Sequence, residues 1–442
     1  MSFARQSLGS LAALVFGVAV SVLLPRLLGA EARGEYQLAV KVAGLVLAIA
    51  QWGIPEVLLQ VMADGSATPR KLIGTSLALG IAGAAVVAIG LGLAAPLFSD
   101  TLLRGVSPLL LWLALGGSLA SLLGLLARRF IQLGGRLDLY NGLDIGRTAL
   151  FVSLVVVGGI VLPRQALGPT LAWLLAEIAL AVVAVTLLIN QFVGRGASRT
   201  ATGSTHGDST VWPPDSGLAR TLVRAGAPIQ LGLLAMFVGS EGGIFVLNAD
   251  LDVAAVGVYS VALAVARLVL QISIALRTAL QPRLVTGEHD SAAVTTRVTR
   301  HGLLWMLVIA AGLAIGSPLA AWVFGAEFAA VTPALVLLLP GMVAYGVWQL
   351  LAGHLLRIGR RGFLAGTAWL FALSSIGLQA VGAHAFGLVG AAAGLTVAYL
   401  VATIVVLVAF VNVSGRSARE LVPAPGDLAF YVGLTRRVLA TR

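Results

Sequence analysis

Apolar and polar positions fall in long blocks along the chain, with no sustained two-residue alternation of the kind a half-buried strand needs. Stretches of at least about 17 mainly apolar residues bounded by charges or turn residues occur twelve times. They cover 8–25, 36–62, 73–98, 106–126, 146–162, 167–189, 225–248, 254–281, 302–324, 331–356, 363–383 and 387–411. A helix of about 20 residues crosses the hydrocarbon core and satisfies its own backbone hydrogen bonds there. The pattern therefore predicts an all-α polytopic membrane protein of about twelve transmembrane helices.

Composition supports this and removes other classes. Residues of the set AVILMFWYC make up 59% of the 442 and charged residues only 11%, against roughly 25% charge in a soluble domain. There is no cysteine, and the five histidines are scattered without ligand spacing, so neither a metal site nor any other cofactor is expected. A net charge of +11 without a soluble basic domain points away from nucleic acid. The charge is instead distributed by side. With the N-terminus inside, 22 of the 29 basic residues fall in cytoplasmic segments or span edges, and only Arg26, Arg33, Arg104 and Arg164 fall on the other face. The positive-inside rule then predicts both termini in the cytoplasm.

The segment starting at Gly34, GEYQLAVKVAGLVLAI, aligns without gaps to the one starting at Gly257, GVYSVALAVARLVLQI, with nine of sixteen positions identical at an offset of 223. Six predicted spans precede the polar stretch 190–224 and six follow it, which gives the copies one orientation. The expected organisation is two parallel six-helix repeats, 1–189 and 225–412, related by a pseudo-two-fold along the membrane normal. Residues 190–224 would form a cytoplasmic linker and 413–442 a cytoplasmic tail with a short amphipathic helix capped by Asp427. Parallel repeats of this kind are transporter architecture, with a substrate site near the midplane.

The runs LLPRLLGAEARGEYQLAV, AAVGVYSVALAVARL, FGAEFAAVTPALVLLLPGMV and GLVGAAAGLTVAYL resemble the polysaccharide-export flippases of the multidrug/oligosaccharidyl-lipid/polysaccharide exporter superfamily. The likeness is a pattern of Gly, Tyr, Arg and apolar residues through most of the chain; members often carry a further pair of spans. It implies a bacterial inner-membrane protein that turns an undecaprenyl-pyrophosphate-linked oligosaccharide from the cytoplasmic to the outer leaflet.

Lys41, Arg267 and Arg277 lie within spans, as do Glu56, Glu177 and Glu241. A central charge costs about 2.5 to 3.5 kcal/mol on insertion scales and usually faces a bundle interior or aqueous cavity. Ser260, Arg267, Gln271 and Thr278 share one helical face, and Gln37, Lys41, Gly44, Ala48 and Gln51 share another. Subtracting 223 maps Ser260, Arg267 and Gln271 onto Gln37, Gly44 and Ala48, so a two-fold axis would set both stripes across a basic central cleft. Guanidinium binds phosphate oxygens bidentately and stays charged, which makes Lys41, Arg267, Gln271 and Arg277 the candidate substrate-binding residues. Glu56 and Glu241 are candidates for coupling a proton or sodium ion, or for ion-pairing; the competing structural arrangements are Glu56 as part of the break at Gly53 and Pro55, Arg267 paired with Glu241, and Lys41 and Arg277 snorkelling to the interface. Glu177 is expected to bond within its own half. Pro55 and Pro340-Gly341 are expected to interrupt their spans, and Gly390 and Gly394 to form a small-residue packing face.

The leading function is a flippase for cell-surface polysaccharide biosynthesis working by alternating access, with lipid-linked oligosaccharide and membrane lipids as partners. A cation-coupled multidrug exporter of the same fold is the alternative. A glycan polymerase or ligase is disfavoured by short external connections with few acids. The topology has a direct check in a chain free of cysteine. A single Cys replacing Ser204 should resist impermeant thiol reagents in intact cells and react after permeabilisation; labelling in intact cells would reverse the assignment.

Overall fold

The computed structural model describes residues 2–64, 67–192, 212–285, 290–424 and 427. The described residues hold helices and turns and no strand. In order these are α1 Ser2–Ala50, α2 Ile54–Ala63, α3 Pro69–Ala94, α4 Pro108–Leu133, α5 Leu137–Val161, α6 Leu167–Phe192 and α7 Ser216–Glu241. After them come α8 Gly243–Asp250, α9 Val253–Ala266, α10 Leu270–Val285, α11 Ser291–Gly316, α12 Ala320–Phe324, α13 Val331–Arg357 and α14 Arg361–Ser414.

Ten helical segments among the described residues are long and apolar enough to cross a membrane. Two of them are too long for one crossing: α14 has 54 residues, about 81 Å at 1.5 Å per residue, against a hydrocarbon core of about 30 Å. Non-helical dihedrals at Gly387 (φ 60°, ψ −143°) break α14, and at Gly29 (φ 75°, ψ 179°) they break α1. Left-handed φ values of this kind strain any side chain, which is why glycine stands there. With these halves taken separately, all twelve predicted runs have a helix.

Helices extend beyond several runs at their polar ends. α5 begins at Leu137 instead of 146 and α11 at Ser291 instead of 302, because hydropathy registers only the hydrocarbon and a helix continues wherever it is capped. Asp290 caps α11 by accepting the N–H of Ala292 and Ala293 at 3.0 and 3.2 Å. Asp215 caps α7 through Leu218 N–H at 2.9 Å, so α7 starts inside the stretch read as linker. The Arg416 guanidinium, 2.7 Å from Asp290, holds that carboxyl below the usual carboxylate range, with the helix N–H groups adding to the effect. For Asp215 the Leu218 N–H is the main cause of a shift in the same direction. Residues 193–211 of the linker, and 425, 426 and 428–442 of the tail with its expected amphipathic helix, lie outside the described residues.

The chain divides into two compact units. Unit 1 holds residues 1–237, 244–260 and 322–328; unit 2 holds 238–243, 261–321 and 329–442. Inside unit 1, Val42, Val46 and Ala50 of α1 pack with α2, α3, α4 and Ala184 and Leu188 of α6. Leu24, Leu28, Tyr36 and Ala39 pack with Ala114, Phe151 and Ala176. In unit 2, α13 is the buried centre. Tyr345 and Trp348 on α13 meet Phe371 and Tyr399 on α14, with Phe371 and Tyr399 stacked at 4.4 Å and Tyr345 and Tyr399 at 4.8 Å.

Pro55 behaves as expected: it opens α2 after Gly53, whose φ of 66° marks the break. Pro340 does not, for α13 is assigned continuously through it. The Thr396 hydroxyl donates to the Leu337 carbonyl at 2.6 Å, supplying a bond beside the ring where the backbone ladder loses one. Gly390 and Gly394 do form a packing face. A Cβ at Gly390 would lie 2.0 Å from the Gly382 carbonyl oxygen, and one at Gly394 2.4 Å from that of Leu378. Those pairings run antiparallel, so the two halves of α14 fold back on each other. Gly390→Ala should therefore lower the thermal unfolding temperature in detergent, with a cost of about 1 to 3 kcal/mol from overpacking. Gly366→Ala, where a Cβ would meet nothing within 4 Å, should leave it unchanged or raise it.

Candidate functional site

The charges inside the spans are placed by helix breaks and register. In unit 2, α7 ends at Glu241, and Arg267 opens a short 3-10 segment, Arg267–Val269, between α9 and α10. Their side chains meet: Arg267 Nη2 lies 2.7 Å from Glu241 Oε1 and donates to the Ser240 carbonyl at 3.2 Å. The Glu241 side chain is 13% exposed and that of Arg267 32%, so the pair is sheltered on the carboxylate side more than on the guanidinium side. Of the two arrangements expected for Arg267, the ion pair is thus present, and the 3-10 turn interrupts the helical face on which Arg267 was placed. Ser375 and Gln379 of α14 support the carboxylate's helix end. Ser375 Oγ donates to the Gly239 carbonyl at 2.6 Å, and Gln379 Nε2 donates to Ser375 Oγ at 2.8 Å.

Gln271, Arg277 and Thr278 are exposed on α10, and Lys41 is half-buried on α1. Along the Lys41 stripe, Gly44 faces the Phe237 ring, 3.0 Å from where its Cβ would stand. Glu56 is 3.9 Å from Arg129, whose Nε also donates to the Pro55 carbonyl at 3.0 Å. Both candidate coupling carboxylates therefore have an arginine beside them.

Unit 1 carries a ladder of charges that reading the sequence missed in part. Arg128 pairs with Asp144 at 2.8 Å, Asp144 with Arg147 at 3.7 Å, and Arg147 with Glu177 at 3.0 Å. Glu177 bonds within its own half as expected. Arg147, at the edge of its predicted span, lies ten residues into α5, about 15 Å along the helix. The 3-residue spacing of Asp144 and Arg147 was the available signal. Arg33 is a correction. Assigned to an outer loop, it is a buried residue of α1, over the Tyr36 ring at 5.8 Å and donating from Nε to Ser260 Oγ at 3.3 Å. The helix resumes at Ala30 directly after Gly29, leaving no loop there. Among the described residues no cluster of His, Cys, Asp and Glu could hold a metal ion.

Ten membrane-long helices among the described residues define a multi-pass membrane protein. A family model described as "Polysaccharide biosynthesis protein" matches residues 4–288, well over half the chain, and the chain belongs to that family. No curated protein matches it. Among solved structures, a lipid II flippase MurJ in an inward closed conformation superposes with a TM-score of 0.75 at 11% identity, covering 94% of this chain and 88% of its own. A multidrug resistance MATE family transporter of the MOP superfamily, inward-facing, gives 0.61 at 16% identity, covering 92% and 94%. The Vibrio cholerae MATE transporter VcmN gives 0.60 at 17%, covering 93% and 95%. At these identities the likeness establishes the fold, the one in which the chain's spans are arranged.

Removing one member of the Arg267 and Glu241 pair should destabilise the protein more than removing both. Fully buried pairs cost 3 to 5 kcal/mol when broken on one side, and the partial exposure of Arg267 reduces that here to about 2 kcal/mol. A double-mutant cycle of Arg267→Gln and Glu241→Gln, read by thermal unfolding, should return a favourable coupling.

Proposed function

We propose that the protein is a flippase that moves a polyprenyl-pyrophosphate-linked oligosaccharide, with undecaprenol as the carrier, from the inner to the outer leaflet of the bacterial inner membrane, for cell-surface polysaccharide biosynthesis. The observation that carries this reading is the likeness over 94% of the chain to the fold of a lipid II flippase, in a chain whose own family is that of polysaccharide biosynthesis proteins.

Chemistry supports the same cargo. A pyrophosphate needs cations held where water is scarce, and guanidinium gives it charge-assisted paired hydrogen bonds. Arg277 and Lys41 are the candidate cations within spans, with exposed Gln271 for sugar hydroxyls. Arg267, paired with Glu241, would contact a phosphate oxygen by exchanging partners when cargo enters. The polyprenyl tail stays in lipid, so only the head group has to cross. Alternating access, with both termini cytoplasmic and a proton or sodium ion as coupling ion, completes the reading. Glu241 would act in coupling by exchanging Arg267 for the ion, and Glu56 by exchanging Arg129.

The MATE-like fold gives a second reading, export of organic cations. Those prefer acidic and aromatic walls, and the acids Glu241 and Glu56 each sit beside an arginine, which favours the anionic cargo. Depletion of the protein should leave lipid-linked oligosaccharide accumulating on the cytoplasmic leaflet, as measured by access of a glycan-cleaving enzyme to inverted and right-side-out vesicles. Arg277→Ala should cut export roughly tenfold, the worth of one charge-assisted contact, at unchanged membrane level. Unaltered leaflet distribution in depleted cells, together with new drug sensitivity, would favour the exporter.

A further inference from the structure

Unit 1 holds a half-open cavity of about 520 Å³ beside the break in α1, between the resumed helix, the start of α4 and the turn from α5 to α6. Its size falls within the range of small-molecule sites, about 300 to 1,000 Å³. The positive-inside rule assigns this end of the unit to the outer face. Glu327 bends over Gly29, where a Cβ would stand 3.0 Å from Oε1, so a side chain there would crowd the carboxylate.

The lining carries three carboxylates, Glu31, Glu35 and Glu327, against one cation, Arg164. Helix ends account for part of this. Glu35 Oε1 accepts the Ser107 N–H at the start of α4 at 3.0 Å, and Glu327 Oε2 accepts the Ala30 N–H at 2.9 Å, which satisfies donors that a helix start leaves open. The other oxygen of each is left over. Glu31 is exposed and, among the described residues, makes no hydrogen bond or ion pair, so capping does not explain it. The Arg164 N–H donates to the Leu27 carbonyl at 3.3 Å, which fixes the turn 162–166 to the α1 break and holds the guanidinium on the same cavity as the acids. Among the described residues the acids do not converge on one metal ion; a cation that meets them must be broader.

Exposed tryptophans set the depth of the cavity. Trp112 lies three residues beyond the lining residue Leu109 on α4, and Trp322 five residues before Glu327; both are exposed. Tryptophan on a lipid-facing surface marks the headgroup layer. Leu109 both lines the cavity and is exposed, as a wall that touches lipid should be.

We propose that this cavity binds the headgroup of an aminophospholipid, phosphatidylethanolamine, from the outer leaflet. Arg164 takes the phosphate, and Glu31 with the left-over oxygens of Glu35 and Glu327 takes the ammonium. The charge ratio repels an anionic headgroup, while a guanidinium pairs with phosphate oxygens. A primary ammonium donates to carboxylates as a lysine does, whereas a quaternary one has no N–H to give. Such a lipid would tie the α1 break to α4 and to the turn before α6. It is a resident ligand and not the cargo, so its site goes beyond the transport reading.

Purified full-length protein in detergent, titrated with lipid and read by thermal unfolding, tests the site, because a ligand of the folded state raises the transition. Phosphatidylethanolamine should raise it, with a smaller shift for the dimethylated headgroup and none for phosphatidylcholine or phosphatidylglycerol. Glu31→Gln should weaken the apparent affinity for phosphatidylethanolamine roughly tenfold, the worth of one charge-assisted hydrogen bond. Glu31→Lys should turn the preference toward phosphatidylglycerol, a gain that misfolding cannot produce. Equal shifts from all these lipids, or wild-type affinity and preference in both Glu31 variants, overturns the site. Glycerophosphoethanolamine, the headgroup without chains, should give no shift at the concentrations where the lipid acts; an equal shift would overturn a lipid as the occupant. No cargo enters these measurements, so they hold or fail independently of the flippase reading.

Discussion

In hydrocarbon no water is present to satisfy a freed backbone group, and this chain breaks its helices repeatedly. What each break then requires is a partner from elsewhere in the sequence. Glu327 receives the Ala30 N–H at the Gly29 break. Gln230 bridges the next one, accepting Gly53 N–H at 2.8 Å and donating to the Ala48 carbonyl. Ser375 closes the Gly239 carbonyl near the end of α7, and Thr396 that of Leu337 beside Pro340. A short list of polar side chains on otherwise apolar helices thus decides where the helices can bend.

The intramembrane charges follow a related constraint. An isolated charge in a span is costly, and Arg147 with Glu177 and Arg267 with Glu241 each neutralise one another inside a single unit. The two pairs differ in exposure. Glu177 is 8% exposed, and its partner is tied on to Asp144 and through it to Arg128, which makes a braced network. The Arg267 side chain, at a 3-10 turn, is 32% exposed and that of Glu241 13%.

Close backbone approach is the third element. Glycine permits it at Gly390 against Gly382, at Gly53 against Gly226, and at Gly34 against Val253. Elsewhere the interior is filled by stacked rings, as between Tyr345, Phe371 and Tyr399. The ring-packed region of unit 2 resists deformation because it interdigitates.

The sequence alone determined the class of fold. Twelve apolar runs, charge depletion, the positive bias of one set of loops and the Gly34/Gly257 echo are all local or additive properties, and hydropathy sums them within one segment. The resemblance to polysaccharide-export flippases was legible for the same reason, as a pattern of residue types along the chain. The caps Asp215 and Asp290 carried a readable signal too, a side-chain acceptor just before an apolar stretch. Tertiary structure alone decided which charges meet. The Arg33 side chain became buried because the chain resumes its helix straight after Gly29, and Glu327 found Ala30 across 297 positions. It chose the pair for Arg267, which sequence left open between Glu241 and a ligand. Partner choice depends on distances of a few ångströms between residues far apart in sequence, and a pattern read along one segment holds no information about them.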